Sequence, residues 1–258
     1  VLVPRLDVSF FSSVVHGIEG VMNENGYNIL LYQSRESVKQ EAKGVDTFLR
    51  SRVDGIIASI SLETENNKVY SEIKDRNIPL VFFDRVLHDM NLPSVTIDDY
   101  QGGFMATEHL IRAGYKRIVH INQYRAINIF NERLRGYLDA LRQYGLPIDE
   151  ELIIKGDFSL EFGKQCVREL LAKGIDFDAM FTLEDFTAMG VVQELKAAGK
   201  RIPEDVGVVG FANEAFTSLV SPSVSTVDQC TVQMGEEVAR LLLKLLKKGD
   251  YYKHKPEK

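Results

Sequence analysis

The chain is poor in cysteine and has no long apolar run, and each shortage excludes a class of protein. No apolar run approaches the roughly 18 residues that a membrane helix needs, so no membrane span is predicted. Two cysteines in 258 residues are too few for a disulfide framework. We expect Cys166 and Cys230 to be small buried residues of helix-like segments in a reducing compartment, which indicates the cytoplasm.

Basic charge is also scarce. Lysine and arginine number 31 against 37 acidic residues, so the formal net charge is -6. A chain of this charge lacks the basic surface that holds a polyanion, so contact with nucleic acid would need another segment. The first residues, VLVPRLDVSFF, resemble a strand already under way and lack the basic start of a signal peptide. We therefore expect the sequence to be a fragment whose beginning has been removed.

Catalytic and metal-binding motifs are missing as well. The five histidines form neither H-x-x-x-H nor H-E-x-x-H, and no G-x-S-x-G or G-x-x-x-x-G-K-[ST] motif occurs. The first strand is followed by RLDVSFF rather than G-x-G-x-x-G, which disfavours a dinucleotide-binding fold. We expect no enzyme activity, no cofactor and no metal.

What the chain does contain is a regular alternation of short apolar runs with helical periodicity. The predicted strands are Leu2–Pro4, Asn28–Gln33, Gly55–Ile60, Leu80–Asp84, Arg117–Ile121, Leu152–Lys155, Ala179–Leu183 and Gly207–Phe211. The predicted helices are Phe11–Glu24, Lys39–Ser51, Lys68–Arg76, Gln101–Arg112, Asn131–Tyr144, Glu161–Lys173, Phe186–Ala198 and about Thr231–Lys248. Strands that are apolar on both faces are typical of parallel sheets covered by helices. The pattern therefore predicts two doubly wound α/β lobes of about a hundred residues each.

Two such lobes in one chain usually bind a ligand between them, at the carboxyl ends of their strands. The residues at these ends are rich in carboxylates, amides and hydroxyls, which suits a small polar molecule with many hydroxyl groups. Phe10 and Phe11 follow the first strand, and we expect one to pack inward while the other stacks on the ligand. Arg133 could fork two hydrogen bonds to hydroxyls, or instead form a surface ion pair with Glu132 or Asp139. Asp185, before a helix, reads first as an N-cap.

Several longer stretches together resemble one known family. They are GIEGVMNENGYNILLYQS, RVDGIIAS, IPLVFFDRV, SVTIDDYQGGFMATEHLIRAGYKRIVHI, ERLRGYLDAL, FTLEDFTAMG, IPEDVGVVGFANEAFTSLVSPSVSTVDQ and MGEEVARLLLKLL. In this order and spacing they resemble the effector-binding core of the LacI/GalR family of bacterial transcription regulators, over nearly the whole chain. The resemblance implies a periplasmic-binding-protein-like type I fold, with two lobes and a cleft between them.

The resemblance also implies lobe boundaries, because the chain of this fold crosses between lobes three times. The crossovers are expected near Asp98–Asp99, near Val227–Gln229 and after Lys248. The N-terminal lobe would then comprise residues 1–98 with about 229–248. The C-terminal lobe would comprise residues 99–228 with about 249–258.

The family's ligand-binding positions carry over to individual residues of this sequence. The implied set is Phe10, Phe11, Asp84, Arg133 of the R-x-x-G-[FY] motif, Asp185, and the polar Asn213. Two positions depart from the family pattern: Glu184 stands where an asparagine usually precedes Asp185, and Ala212 stands where an aspartate usually follows the last strand. We hypothesise that Glu184 replaces the charge missing at Ala212.

The resemblance implies a sensor domain that binds a sugar or sugar derivative between its lobes and controls DNA binding allosterically. Operator DNA would be contacted only through a helix-turn-helix head, which this sequence lacks, and we expect the chain to be trimmed at its C-terminus too. A homodimer is expected, because a pseudo-palindromic operator is read by a two-fold symmetric protein. The alternative is a solute-binding protein of a sugar uptake system, which shares the fold.

Overall fold

The computed structural model describes residues 1–125 and 127–249, without the side chain of His88. The strands are β1 (Leu2–Val3), β2 (Tyr32–Gln33), β3 (Ile56–Ala58), β4 (Leu80–Phe83), β5 (Ser94–Val95), β6 (Ile118–Gln123), β7 (Ile153–Gly156), β8 (Ala179–Thr182) and β9 (Gly207–Val209). The helices are α1 (Ser9–Glu24), α2 (Val38–Arg50), α3 (Lys68–Asp75), α4 (Asp99–Arg112), α5 (Asn128–Gln143), α6 (Leu160–Ala172), α7 (Asp185–Ala197) and α8 (Thr231–Leu246). No helix in the described part of the chain is long and apolar enough to span a bilayer.

The described chain divides into two compact units. Unit 1 is Val1–Ile97 together with the chain from Cys230 onward, and unit 2 is Asp98–Gln229. The chain therefore passes between units at Ile97–Asp98 and returns at Gln229–Cys230. The expected third crossover, and the assignment of 249–258 to the C-terminal lobe, lie outside the described residues except for Gly249.

Unit 1 is built on a parallel sheet with the strand order β2-β1-β3-β4-β5. The alternation of β3 side chains separates two apolar cores, since Ile57 packs with α1 and α8 while Ile56 packs with α2 and α3. Unit 2 has a parallel sheet in the order β7-β6-β8-β9. Each unit is thus a parallel α/β sheet layered with helices, and the predicted fold class is confirmed.

Two details of the sequence-based prediction are wrong. Cys166 is buried, but Cys230 is exposed, and its φ of 49° places it just before α8 rather than inside a helix. It lies where the chain re-enters unit 1, so no apolar layer covers it. The predicted strand Asn28–Gln33 shrinks to Tyr32–Gln33, the only part that pairs with β1. The short strand β5 was not predicted.

Three helix pairs pack backbone against backbone through reciprocal glycines. A Cβ atom added to Gly17 of α1 would lie 2.2 Å from the Val232 carbonyl oxygen of α8, and one on Gly235 would lie 2.1 Å from that of Val14. Two other helix pairs meet in the same way, because a Cβ atom added to either glycine would clash with the backbone of the facing helix. These glycines are Gly103 and Gly136 between α4 and α5, and Gly163 and Gly190 between α6 and α7. These contacts leave no room for a methyl group, so they fix how closely the helices approach.

Candidate functional site

Two residues of opposite charge, Asp84 and Arg85, follow β4 at the carboxyl edge of the unit 1 sheet. Asp84 is 5% exposed, and its backbone N–H donates to Val95 O at 3.1 Å. Arg85 is also buried, and its Nη1 donates to both carboxylate oxygens of Glu36 at 3.0 and 2.9 Å. Its guanidinium lies 5.6 Å from the centre of the Phe11 ring. The cation at this edge is therefore already paired with a carboxylate of the same unit.

Both phenylalanines of the first helix are buried. Phe10 and Phe11 lie with ring centres 5.0 Å apart and ring planes at 89°, within the apolar core that also contains Val14 and Phe83. The expectation that only one of them packs inward is wrong, because the helix enters between the sheet and α8 with apolar surface on both sides. Their contact with a ligand stays a prediction.

A buried carboxylate that was not predicted holds the loop after β3. Glu41 of α2 accepts hydrogen bonds from the backbone N–H of Ser61 at 2.6 Å and from Thr64 Oγ1 at 2.8 Å. Burial raises the pKa of Glu41. The signal was available in the sequence, because Glu41 lies four residues before Val45 on the buried stripe of α2. A charge on an apolar stripe indicates a specific polar partner.

In unit 2, Arg133 joins three elements rather than lying on the surface. Its Nε donates to Asp99 Oδ1 at 2.8 Å, and its Nη1 donates to Leu183 O at 3.0 Å. The guanidinium lies 3.7 Å from the centre of the Phe211 ring. The alternative of a surface ion pair is wrong for Arg133, and the exposed Arg135 makes that pair with Glu132 instead. Burial raises the pKa of Asp99, and the nearby Arg133 opposes the rise.

The two acids that start α7 have different partners. Glu184 is the N-cap residue, and its carboxylate accepts from the N–H groups of Phe186 at 3.0 Å and Thr187 at 2.7 Å. The expectation that Asp185 is the cap is wrong, because Asp185 is the first residue of the helix. It accepts from Glu214 N–H at 2.8 Å and from Thr226 Oγ1 at 2.7 Å. Burial raises the pKa of both acids. Asp185 thus anchors the segment that follows β9.

That segment contains two residues with positive φ. Ala212 has a φ of 117° and Asn213 a φ of 57°. Ala212 N–H donates to Val227 O at 2.9 Å, and the exposed Asn213 donates from Nδ2 to Asp228 Oδ2 at 3.1 Å. The chain is therefore held in a conformation that disfavours alanine.

Replacing Ala212 with glycine should raise the free energy of unfolding by about 1 kcal/mol. Relief of the strained φ, worth roughly 1–3 kcal/mol, exceeds the entropic cost of glycine, which is about 0.4–1 kcal/mol. Urea denaturation measures the change. Ala113→Gly is the control, because Ala113 ends α4 at a φ of -74° and gains nothing from glycine. Equal losses in both variants would contradict the strain at Ala212.

His120 of β6 is a buried titratable group without a predicted role. Its ring is stacked between Tyr137 and Phe181, with ring centres 4.9 and 4.8 Å away. Neither ring nitrogen has a hydrogen-bond partner among the described residues. Burial lowers the pKa of His120 from 6.5 to about 3. The described residues also contain no group of three or more His, Cys, Asp or Glu placed to hold a metal.

His120 should make the protein less stable as the pH falls below about 6.5. Between pH 6.5 and 3 only the unfolded chain binds the proton, so the free energy of unfolding falls by about 1.4 kcal/mol per pH unit. The advantage of His120→Phe over the native chain should thus grow by about 2 kcal/mol from pH 7.5 to 5.0 in urea denaturation. His16→Gln, at an exposed helix position, is the matched control. A difference that is constant with pH would contradict the buried, neutral imidazole.

Comparison with known proteins identifies the family. The family model described as "Periplasmic binding proteins and sugar binding domain of LacI family" matches residues 1–254. The chain belongs to the LacI family. The resemblance drawn from the sequence is thereby confirmed. The ligand roles of Phe10, Phe11, Asp84, Arg133, Glu184, Asp185 and Asn213 in this LacI-family chain stay predictions.

Named members of the LacI family are similar along almost the whole chain. The HTH-type transcriptional repressor CytR of Escherichia coli K12 is 30% identical over 244 residues, which cover 94% of this chain and 71% of CytR. The structure of CcpA from Lactococcus lactis matches with a TM-score of 0.87 at 29% identity, covering 96% of this chain and 91% of that one. The structure of a CelR–cellobiose complex matches with a TM-score of 0.85 at 31% identity, covering 96% and 77%.

Proposed function

We propose that this LacI-family chain is the effector-sensing domain of a transcriptional regulator and that its effector is a sugar or sugar derivative. Binding of the effector controls how the whole protein binds operator DNA through a helix-turn-helix head. CytR, an HTH-type repressor, and the transcriptional regulator CelR, whose structure is a complex with cellobiose, support both parts of the proposal. The chain acts by binding and carries out no chemical reaction.

The observation that carries the proposal is a set of polar side chains fixed at the carboxyl ends of parallel strands in both units. Asp84 follows β4 in unit 1, while Asp185 and Asn213 follow β8 and β9 in unit 2. Hydrogen bonds to neighbouring loops hold Asp185 and Asn213 in place, so little conformational freedom remains to be lost on binding. Carboxylates and amides of this kind recognise hydroxyl groups directionally.

The proposed control of DNA binding follows from thermodynamic linkage. An effector that binds one conformation of the protein more tightly than another shifts the population by its difference in affinity. The coupling free energy between the two binding events is reciprocal, so operator DNA alters effector affinity by the same factor.

We further propose that the protein acts as a homodimer, and that an apolar patch on unit 2 belongs to the subunit contact. The patch consists of Phe186, Phe216 and Leu219. Leu219 is 82% exposed, and the rings of Phe186 and Phe216 lie 4.9 Å apart between centres. Exposed apolar side chains that cluster in this way mark a candidate interaction site. Sedimentation analysis of Leu219→Asp should show a monomer where the native chain is a dimer.

A thermal-shift screen against mono- and disaccharides tests the proposed function. A hit should lose at least tenfold in affinity in Asp84→Ala and in Asn213→Ala, because each variant removes a strand-end partner of a hydroxyl group. Asp46→Asn is the control, since Asp46 forms an exposed ion pair with Arg50 on α2. A hit that keeps its affinity in both strand-end variants would place the ligand elsewhere and contradict the proposed site.

A further inference from the structure

Only two arginines or lysines are buried in the described part of the chain, and a carboxylate already pairs with each of them. Arg85 donates from Nη1 to both oxygens of Glu36, and Arg133 donates from Nε to Asp99. Arg133 also donates a hydrogen bond from Nη1 to Leu183 O. Arg85 lies at the strand ends of unit 1 and Arg133 at those of unit 2. Neither unit therefore offers a buried positive charge without a counter-ion.

Buried carboxylates are more numerous than buried cations at the same edges. Glu41, Asp84, Asp99 and Asp185 are all buried. Burial raises the pKa of Glu41, Asp99 and Asp185, which shows that these surroundings already resist negative charge. A phosphate or a sugar carboxylate would add to that charge and would have to lose water without gaining a cation.

The carboxylate oxygens of unit 2 already have protein donors that orient them. Asp185 accepts from Glu214 N–H and Thr226 Oγ1, and Asp99 accepts from Arg133. Glu184 accepts from two backbone N–H groups and from the Thr187 hydroxyl. Each carboxylate oxygen can accept a second hydrogen bond, so a ligand hydroxyl can join these oxygens without displacing a protein donor.

We infer that the effector of this chain is a polyhydroxyl compound without a negatively charged group, and that its phosphorylated and oxidised forms are rejected. The inference rests on the proposed function, since it names the ligand class of that same site. A hydroxyl group both donates and accepts, so it can join these hydrogen-bond networks without adding a charge to them. The exposed Arg35 and Arg125 also follow strands, but water screens their charges.

The test compares matched ligands on the protein by thermal shift and calorimetry. A panel of neutral mono- and disaccharides and pentitols is set against the phosphate and acid form of each. We expect every binder to be neutral, and each charged form of a binder to bind at least a hundredfold more weakly. A charged form that binds more tightly than its neutral parent would overturn the inference and leave the proposed sugar sensor intact. No binding by any member would overturn both.

A variant that takes a counter-charge away from Arg85 tests the same inference, because it should weaken the discrimination against anions. Glu36→Gln keeps a hydrogen-bond acceptor for Arg85 but removes the nearer of its two counter-charges, leaving Asp84 Oδ2 at 3.8 Å from Nε. The disadvantage of the phosphorylated form should therefore shrink by about tenfold in this variant. Glu72→Gln is the matched control, because it opens an exposed ion pair with Arg76 in the same unit. An unchanged ratio in Glu36→Gln would contradict the idea that paired cations exclude anions.

Discussion

Arg133→Ala is expected to lower the free energy of unfolding by about 3–5 kcal/mol, because it leaves Asp99 buried without a counter-ion. The same change removes the donor to Leu183 O and the contact with the Phe211 ring. Chemical denaturation followed by circular dichroism measures the loss. Much of it should be restored by adding Asp99→Ala, since the double variant buries no uncompensated charge.

Arg135→Ala is the matched control for this result. Arg135 lies two residues away on the same helix, but its side chain is 58% exposed and pairs with Glu132. Exposed pairs contribute about 0–1 kcal/mol, so a much smaller loss is expected. Similar losses in the two variants would show that Arg133 is not the buried link between α4, α5 and the strand ends of unit 2.

Gly17→Ala should destabilise the protein by about 2–3 kcal/mol, because the added methyl group cannot fit between α1 and α8. The Cβ atom would lie 2.2 Å from Val232 O and 3.1 Å from Glu236 N, and both are backbone atoms that move only with the helix. Thermal and urea denaturation report the change.

Gly20→Ala, one turn further along the same helix, should have the opposite sign. No atom lies within 4 Å of its added Cβ, so only helix propensity remains, which favours alanine by about 1 kcal/mol. The two variants have the same composition and differ only in the face of α1 that they occupy. A loss in both would point to a cause other than the contact with α8.

The layered fold could be predicted because its periodicity is local. Runs such as Leu80–Phe83 are apolar on both faces, and each is followed by a helical stripe. The strand β5 could not be found this way, because two residues are too few to show a periodic pattern. Ser94 and Val95 form a strand only through their pairing with Phe82 and Phe83. The position of Cys230 likewise depends on where the chain returns to unit 1.

At the candidate site the sequence identified residues but not their partners. Arg133 was predicted to bind a ligand, yet its ion pair joins it to a residue 34 positions earlier. Glu184 rather than Asp185 is the cap because the helix begins one residue earlier than a capping Asp185 requires. The partners of Arg133 and Asp185 lie in segments distant in sequence, so no local pattern reports them. Glu41 is the exception, since its place on the apolar stripe of α2 was readable.

Unit 1 consists of two chain segments separated by unit 2, and this limits the order in which the units can fold during translation. Helix α8 supplies Met234, Val238 and Leu242 to the core beneath α1, and these residues emerge after all of unit 2 has been synthesised. Unit 2 is one uninterrupted stretch and can complete its sheet on the nascent chain. Unit 1, whose first segment precedes unit 2, keeps an apolar face uncovered until α8 has been synthesised. Chaperone demand should therefore fall on the N-terminal half, in contrast to the usual order of co-translational folding.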